Sequence, residues 1–305
     1  MRSKHVRTWQ GWGDTLYQRP IIKALLAKHS SLIVETPIPQ FFADIDVTFT
    51  LPAFRYRTQE LLVKQLDEKA FEWQSPPNGL PIQLAHYERD FRKGLTVFEA
   101  LERSGNVTIT DFDLRMEIPE LGEAKKSLSL PKEFVIVKPL TLRKEWSNPS
   151  RNCEMESIRT VVKVCKSLGI ATVACASTGL GERLVDHDLR CDIEVTDGSV
   201  GFFEWMALGQ RAIATVGGVG NILPVGMVTG ANTFVISGGY QDPRQLVDSR
   251  FDYVMETSNG FWHGQRIFVH TPPQSCNCFN HNHECKKEIN QDELRESFRS
   301  FVDVG

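Results

Sequence analysis

Apolar and polar positions along this chain switch repeatedly between the spacing of a strand and that of a helix. Near the start, HVRTWQG (His5 to Gly11) predicts a strand, IIKALLAKH (Ile21 to His29) a helix, and SLIVETP (Ser31 to Pro37) a second strand. From Phe134 the signal sharpens. FVIVKPL is a buried strand by its apolar run. ESIRTVVKVCKSLG sets Ile158, Val161, Val162, Cys165 and Leu168 at helical spacing and stops at Gly169, and IATVACAS is a strand again. CDIEV, SVGFFEWMALGQ, AIATV, NILPVGMVTG and TFVIS continue the alternation, and NQDELRESFRSFV closes it as an amphipathic helix with Leu294, Phe298, Phe301 and Val302 on one side. Strands separated by helices predict an α/β protein with right-handed crossovers and parallel sheets covered on both faces.

At 305 residues, the chain exceeds one ordinary core and fits two domains of roughly 150 residues each. The polar, proline-containing run EAKKSLSLPKE (Glu123 to Glu133) is the best linker. The expected division is therefore a first Rossmann-like domain over 1–128, a second over 129–290, and a terminal helix over 291–305 packing back on the first. Two such domains in tandem would face the carboxyl ends of their sheets across a central cleft, where ligands bind. PIPQFF, LPAFRYR and QSPPNGLPIQ predict irregular loops on the wall of that cleft. NVTIT reads as a strand leading into a structural loop, DFD (Asp111 to Asp113). No repeat of solenoid or propeller length is visible.

A hydrophobic share of 41% with 24% charged residues excludes a disordered chain or a membrane-embedded one. No window approaches the ~20 apolar residues of a membrane helix, and the basic opening MRSKHVRTWQG leads into no apolar run of leader length. A cytoplasmic protein is the expectation. The net charge of -3 gives no field that would attract a polyanion, and Arg89, Arg92 and Lys93 read as a solvated helix face. Of seven cysteines, Cys153, Cys165, Cys175 and Cys191 fall in helix or strand patterns and read as reduced core thiols.

Four stretches carry candidate chemistry. In GWGDTLYQRPIIKAL, Gly11 and Gly13 permit a tight turn before a helix, whose free amides suit an anion or a polar ligand group. Asp14 there is a helix cap or a catalytic carboxylate, and Thr15 is a second candidate cap. In KPLTLRKEW, Lys138, Thr141, Arg143 and Lys144 follow a strand's carboxyl end, where cations and a hydroxyl can hold phosphate oxygens. In VGGVGNILPVGMVTGANTFVISGG, Gly217, Gly218 and Gly220 lie between a strand and a helix and suit a diphosphate, although the spacing is neither a Walker motif nor a dinucleotide fingerprint. Upstream, Glu182 after a glycine turn and Glu204 in DGSVGFFEWMALGQ are either ribose hydroxyl acceptors or surface glutamates. In SCNCFNHNHEC, Cys276, Cys278, His281, His283 and Cys285 are crowded more tightly than the ligand pairs of structural zinc sites, so no metal site is assigned.

Taken in order, these stretches resemble glycosyltransferase family nine, the lipopolysaccharide heptosyltransferases, which have the GT-B fold. The family has an amino-terminal glycine-aspartate turn opening a proline-bearing helix, as GWGDTLYQRPIIKAL does. Its second domain has an apolar strand and a lysine-x-tryptophan stretch, echoed by Lys144 and Trp146, and its later helix, strand and glycine loop are similar to Ser199 to Gly239. A cysteine-rich stretch before the last helix also has a family counterpart. The resemblance is strong over 11–25 and 134–239 and nearly absent from about 40 to 125, the half where acceptors are usually recognised. Where the family loop carries an aspartate and a histidine, this chain has Val219 and Pro224, so heptose is not implied.

The resemblance implies an inverting transfer of a sugar from a nucleotide-diphosphate donor to an acceptor hydroxyl, with no cofactor and no metal. Asp14 would be the general base, and Lys144, with Arg143, Thr141 and the amides around Gly218, Asn221 and Ile222, would meet the leaving diphosphate. The acceptor is left open among a glycan, a protein side chain, a small metabolite and a hydroxyl-bearing modified nucleic-acid base. Two other readings of the same scaffold are a non-catalytic nucleotide or nucleotide-sugar binding protein and an epimerase. The latter would need more acidic residues at the sugar than the sequence places.

Overall fold

The computed structural model describes residues 3–8, 11–53, 70–121, 129–143, 152–176, 182–185, 188–239, 242–247, 260–262, 265–273 and 288–303. They belong to two compact units. Unit 1 is Met1–Glu117 with Gln245–Asp248, and unit 2 is Ile118–Arg244 with Ser249–Gly305.

Unit 1 contains β1 (Lys4–Arg7), α1 (Trp12–Leu16), α2 (Arg19–Lys28), β2 (Leu32–Glu35), β3 (Thr48–Thr50), β4 (Ile82–Gln83), α3 (Glu88–Phe91) and α4 (Val97–Gly105). The first strand, helix and strand stand where the periodicity places them. All pairings in the four-stranded sheet are parallel, in the order β3-β2-β1-β4. The chain winds outward from β1 through β2 and β3, then returns to the other side of β1 with β4. That reversal makes β1 and β4 the switch point of this sheet, beyond whose carboxyl ends a crevice is expected.

The chain around α2 is tied together by a buried cation. Arg19, fully buried, donates from Nε to the Leu114 carbonyl at 2.8 Å and from Nη2 to the Arg115 carbonyl at 2.9 Å. Its Nη1 donates to the Phe41 carbonyl, and its two terminal nitrogens grip both oxygens of Asp44 at 2.9 and 2.6 Å. A fully buried arginine is tolerated because its donors are matched by carbonyls and a carboxylate. Glu35 is also buried; its Oε1 accepts from Arg7 Nε at 2.8 Å, and its Oε2 lies 3.0 Å from His5 Nε2.

Three local expectations are corrected. PIPQFF is not a loop on a wall: Pro39–Phe42 is a 3-10 turn with Phe41 and Phe42 fully buried, because two adjacent aromatics gain more from the core than from solvent. NVTIT forms no strand, although Ile109 is buried. Neither Asp14 nor Thr15 caps α1. Gly11 is the N-cap, with no side-chain hydrogen bond there, and Thr15 Oγ1 donates back to the Gly11 carbonyl at 2.7 Å.

Unit 2 contains β5 (Phe134–Lys138), β6 (Thr141–Arg143), α5 (Met155–Leu168), β7 (Ala171–Cys175), β8 (Glu182–Leu184), β9 (Ile193–Val195), α6 (Phe202–Arg211), β10 (Ala214–Gly218), α7 (Ile222–Thr229), β11 (Thr233–Ile236), β12 (Gly260–Trp262), β13 (Gln265–His270) and α8 (Gln291–Val302). The main sheet runs β12-β13-β11-β10-β5-β7-β9, parallel except for β12 on β13. Val135, Val137, Val216 and Phe234 share a core with Ile158, Val161 and Cys165 of α5 and with Leu294, Phe298 and Phe301 of α8. The pleat turns Phe134, Ile136 and Thr215 to the opposite face, and Thr215 lies against Gly209 of α6. α5 ends at Gly169, whose φ of 72° is the left-handed C-cap that glycine accepts most readily.

The terminal helix α8 belongs to the core of unit 2. Its apolar stripe is taken up by unit 2, where Phe298 and Phe301 meet the Phe234 ring edge-on at 5.1 and 5.4 Å. Burial raises the Cys165 and Cys175 thiols to about 12 and Cys191 to about 11, so these cysteines are protonated core side chains at neutral pH. No helix among the described residues is long and apolar enough to cross a membrane.

Candidate functional site

In unit 1 the turn after β1 delivers Asp14 in the first turn of α1. A Cβ added at Gly11 would lie 2.3 Å from Asp14 Oδ2, so in this rotamer the carboxylate occupies the space that a side chain at position 11 would take. Gly13, half-buried, lies inside α1. On the other side, His86 Nε2 stands 3.1 Å from Asp14 Oδ1. His86 follows β4 by three residues, so the two groups meet at the carboxyl ends of the switch-point strands. Sequence reasoning missed His86. The only signal was a titratable residue after the short apolar run PIQLA, hidden behind a proline-rich stretch.

In unit 2 the chain goes from β5 to β7 and β9 on one side and returns to β10 on the other, so β5 and β10 flank the switch point. Lys138 ends β5, with its ammonium 5.7 Å from the centre of the Trp205 ring on α6. Gly217 and Gly218 are the last residues of β10 rather than part of a loop. A Cβ on Gly217 would lie 2.9 Å from Lys138 Cβ and 3.1 Å from its carbonyl oxygen, and one on Gly218 would lie 2.9 Å from Leu140 Cδ2. At both positions the missing side chain makes room for a neighbour on β5 or just after it, a packing use of the glycine. Gly220 differs, since nothing lies within 4 Å of its added Cβ. Gly217→Ala should destabilise unit 2 by ~1–3 kcal/mol in urea unfolding, whereas Gly220→Ala should leave stability unchanged and weaken only a ligand that approaches the backbone there.

Asn221 is the N-cap of α7, without a side-chain cap bond, and Ile222 opens the helix with its side chain buried in the core. The first turn of a helix has N–H groups with no intrahelical acceptor, and these point beyond the end of β10. Pro224, third in the helix, removes no helical bond for the same reason. Val219 and Pro224 carry no polar group toward a sugar.

No family model matches the chain, and neither does any curated protein. Solved structures do match over the whole chain. The family 9 glycosyl transferase of Veillonella parvula DSM 2008 has TM-score 0.60 and 14% identity, covering 100% of this chain and 99% of its own. The ADP-heptose lps heptosyltransferase II of E. coli has TM-score 0.55 and 12% identity, over 99% and 98%. TibC of enterotoxigenic E. coli H10407, an iron-containing dodecameric heptosyltransferase solved in complex with ADP-D-beta-D-heptose, has TM-score 0.57 and 16% identity, over 99% and 74%. The fold is GT-B, of the heptosyltransferase kind.

Within this GT-B frame the remaining candidate residues separate. Thr141 and Arg143 lie not in a loop but in β6, a ribbon strand paired antiparallel with β8, with Arg143 opposite Glu182 in register. The ribbon form follows from the strand-like TLR and ERL runs, which pair with each other outside the main sheet. Glu204 accepts the Gly201 N–H at 2.7 Å and closes the first turn of α6, a structural use of the carboxylate. Lys144 and Trp146 lie outside the described residues, as does the whole Cys276 to Cys285 cluster. Among the described residues no group of three or more His, Cys, Asp or Glu side chains could hold a metal. Sequence reasoning also missed Trp205, which reads as a core aromatic on a helix until Lys138 is placed beside it.

Proposed function

We propose that the protein is an inverting glycosyltransferase that moves a sugar from a nucleotide-diphosphate donor to an acceptor hydroxyl, independent of a divalent metal. The observation that carries this reading is the placement of chemistry at both switch points. Lys138 and the turn into α7 end β5 and β10, and Asp14 and His86 end β1 and β4. The heptosyltransferase fold, seen in TibC with ADP-D-beta-D-heptose, supports a nucleoside diphosphate sugar as the donor class.

In this reading the acceptor oxygen attacks the anomeric carbon from the side opposite the diphosphate. The carbon–oxygen bond to the phosphate breaks, its electron pair leaves with the nucleoside diphosphate, and Asp14 takes the acceptor's proton. A positioned base is worth ~10²–10⁴-fold. The departing charge is met by Lys138, by the amides of the first turn of α7 and, on the family resemblance, by Lys144. Val219 and Pro224 leave the sugar's identity to other contacts, so the donor sugar is not assigned.

The test is calorimetric titration with ADP, UDP and GDP, followed by incubation with the corresponding nucleotide sugars, ADP-D-beta-D-heptose included, and mass spectrometry of the products. A nucleoside diphosphate should bind, Lys138→Ala should weaken it about tenfold, in the range of one lost charge-assisted contact, and EDTA should leave turnover unchanged. Failure of every nucleoside diphosphate to bind would defeat the reading. Binding without turnover across donors and hydroxyl acceptors would instead establish a nucleotide-sugar binding protein on the same scaffold.

A further inference from the structure

We infer that His86 is a positioning residue for Asp14, fixing the carboxylate in the orientation in which it takes the acceptor's proton; this rests on the base role proposed above. An ionised carboxylate only accepts hydrogen bonds, so at 3.1 Å the proton between the two groups belongs to His86 Nε2 and is donated to Asp14 Oδ1. Asp14 sits in the first turn of a helix of five residues, Trp12–Leu16. With Oδ1 held by His86 and Oδ2 lodged over the α-carbon of Gly11, both oxygens have a defined place.

His86 can hold because it is itself held. The Leu84 N–H donates to the Arg7 carbonyl at 2.9 Å and extends the β4 pairing, and the Ala85 N–H donates to Ser104 Oγ at 3.2 Å. Its ring leans on Phe91 with centroids 5.4 Å apart. The next residue is pinned by the Tyr87 N–H donating to Asp90 Oδ2 at 2.9 Å, and buried Asp90 is paired with Arg103 at 2.6 Å. This is the packed support a catalytic side chain requires to stay within a productive geometry.

Burial decides which member of the pair meets the ligand. The His86 side chain is 13% exposed and that of Asp14 37%. The imidazole is therefore behind and the carboxylate in front, the reverse of a triad in which a carboxylate orients a histidine base.

The experiment measures kcat and KM on the full chain for the wild type, Asp14→Asn, His86→Leu and His86→Gln, using the nucleotide sugar turned over in the panel above. ADP binding is followed by calorimetry as a control on folding. His86→Leu should lower kcat ~10–100-fold, the scale of a misplaced reacting group, with donor KM and ADP affinity unchanged. His86→Gln, which keeps an N–H donor, should recover most of the loss. If His86→Leu turns over like the wild type while Asp14→Asn is inactive, the positioning role is overturned and the base role stands. Loss of ADP binding in both His86 variants would make the residue a fold element and likewise overturn the proposal. Crystal structures of the wild type and His86→Leu give a readout independent of turnover. The Asp14 carboxylate should leave its place over Gly11 in the variant, and its staying there would sink the positioning role even if Asp14 proved not to be the base.

Discussion

Asp14→Asn is expected to lower kcat for sugar transfer by ~10²–10⁴-fold, the worth of a positioned general base, while ADP binding is unchanged. The substitution preserves size, so the Gly11 and His86 contacts can persist, and only the capacity to accept the acceptor's proton is removed. A stability measurement separates this from the structural alternative. A carboxylate in the first turn of a helix is stabilising by only ~0.3–1 kcal/mol at an exposed site, so the variant should unfold in urea almost where the wild type does. Unchanged turnover would reduce Asp14 to a helix-dipole partner; lost turnover at full stability identifies it as the base.

The largest expected effect on stability comes from Arg19→Met, which should cost ~3–5 kcal/mol, the usual result of stripping one partner from a buried ion pair. The methionine fills part of the volume but leaves Asp44 and the carbonyls of Phe41, Leu114 and Arg115 without the donors that face them. Urea unfolding of unit 1, followed by fluorescence, measures it, and a loss below the range of a surface substitution would show that Arg19 is dispensable. A pH dependence accompanies it. Burial by itself pushes the Asp44 carboxyl up, but the hydrogen bond and charge of Arg19 outweigh it and the net direction is down. A depressed folded pKa means the contribution is fully present above the ordinary aspartate value of about 3.9 and is lost as pH falls through the lower folded value. Acid unfolding should therefore steepen below about pH 4 in the wild type and be flatter in Arg19→Met.

The alternation that predicts β1, α2 and β2, and then β5, α5, β7, β9, α6, β10, α7, β11 and α8, was readable because those segments carry an apolar stripe or run of their own, whereas β6, β8, β12 and β13 were not foreseen. Phe134 to Val137, and Ile158 to Cys165 on α5, show by their apolar pattern alone that they are core elements. PIPQFF and NVTIT were misread for the opposite reason. Their burial comes from distant chain, such as the loop that Arg19 gathers around Phe41, and no local pattern records it. β4 has two residues and carries no usable period. His86, placed by that strand, was illegible for the same reason.

Within the candidate site, the same division applies. Gly11 and Asp14 were legible because a glycine before a carboxylate at a helix start is a local pattern, although Gly11 takes an ordinary extended backbone with φ -78° and ψ 142°, so its freedom to reach unusual angles is not used. Lys138 was legible as a cation after a strand. Gly217 and Gly218 read as loop residues but end β10, and their missing side chains make room for Lys138 and Leu140, a need that exists only once β5 and β10 lie side by side. By itself the sequence determined that this is an α/β protein of glycosyltransferase-like pattern, with an acid near one glycine turn and cations near another strand end. Only the tertiary structure decided that β1 meets β4 and β5 meets β10, because strand order is set by contacts between residues far apart in the chain. That order brings His86 to Asp14 across 72 positions and seats Lys138 between Gly217 and Trp205.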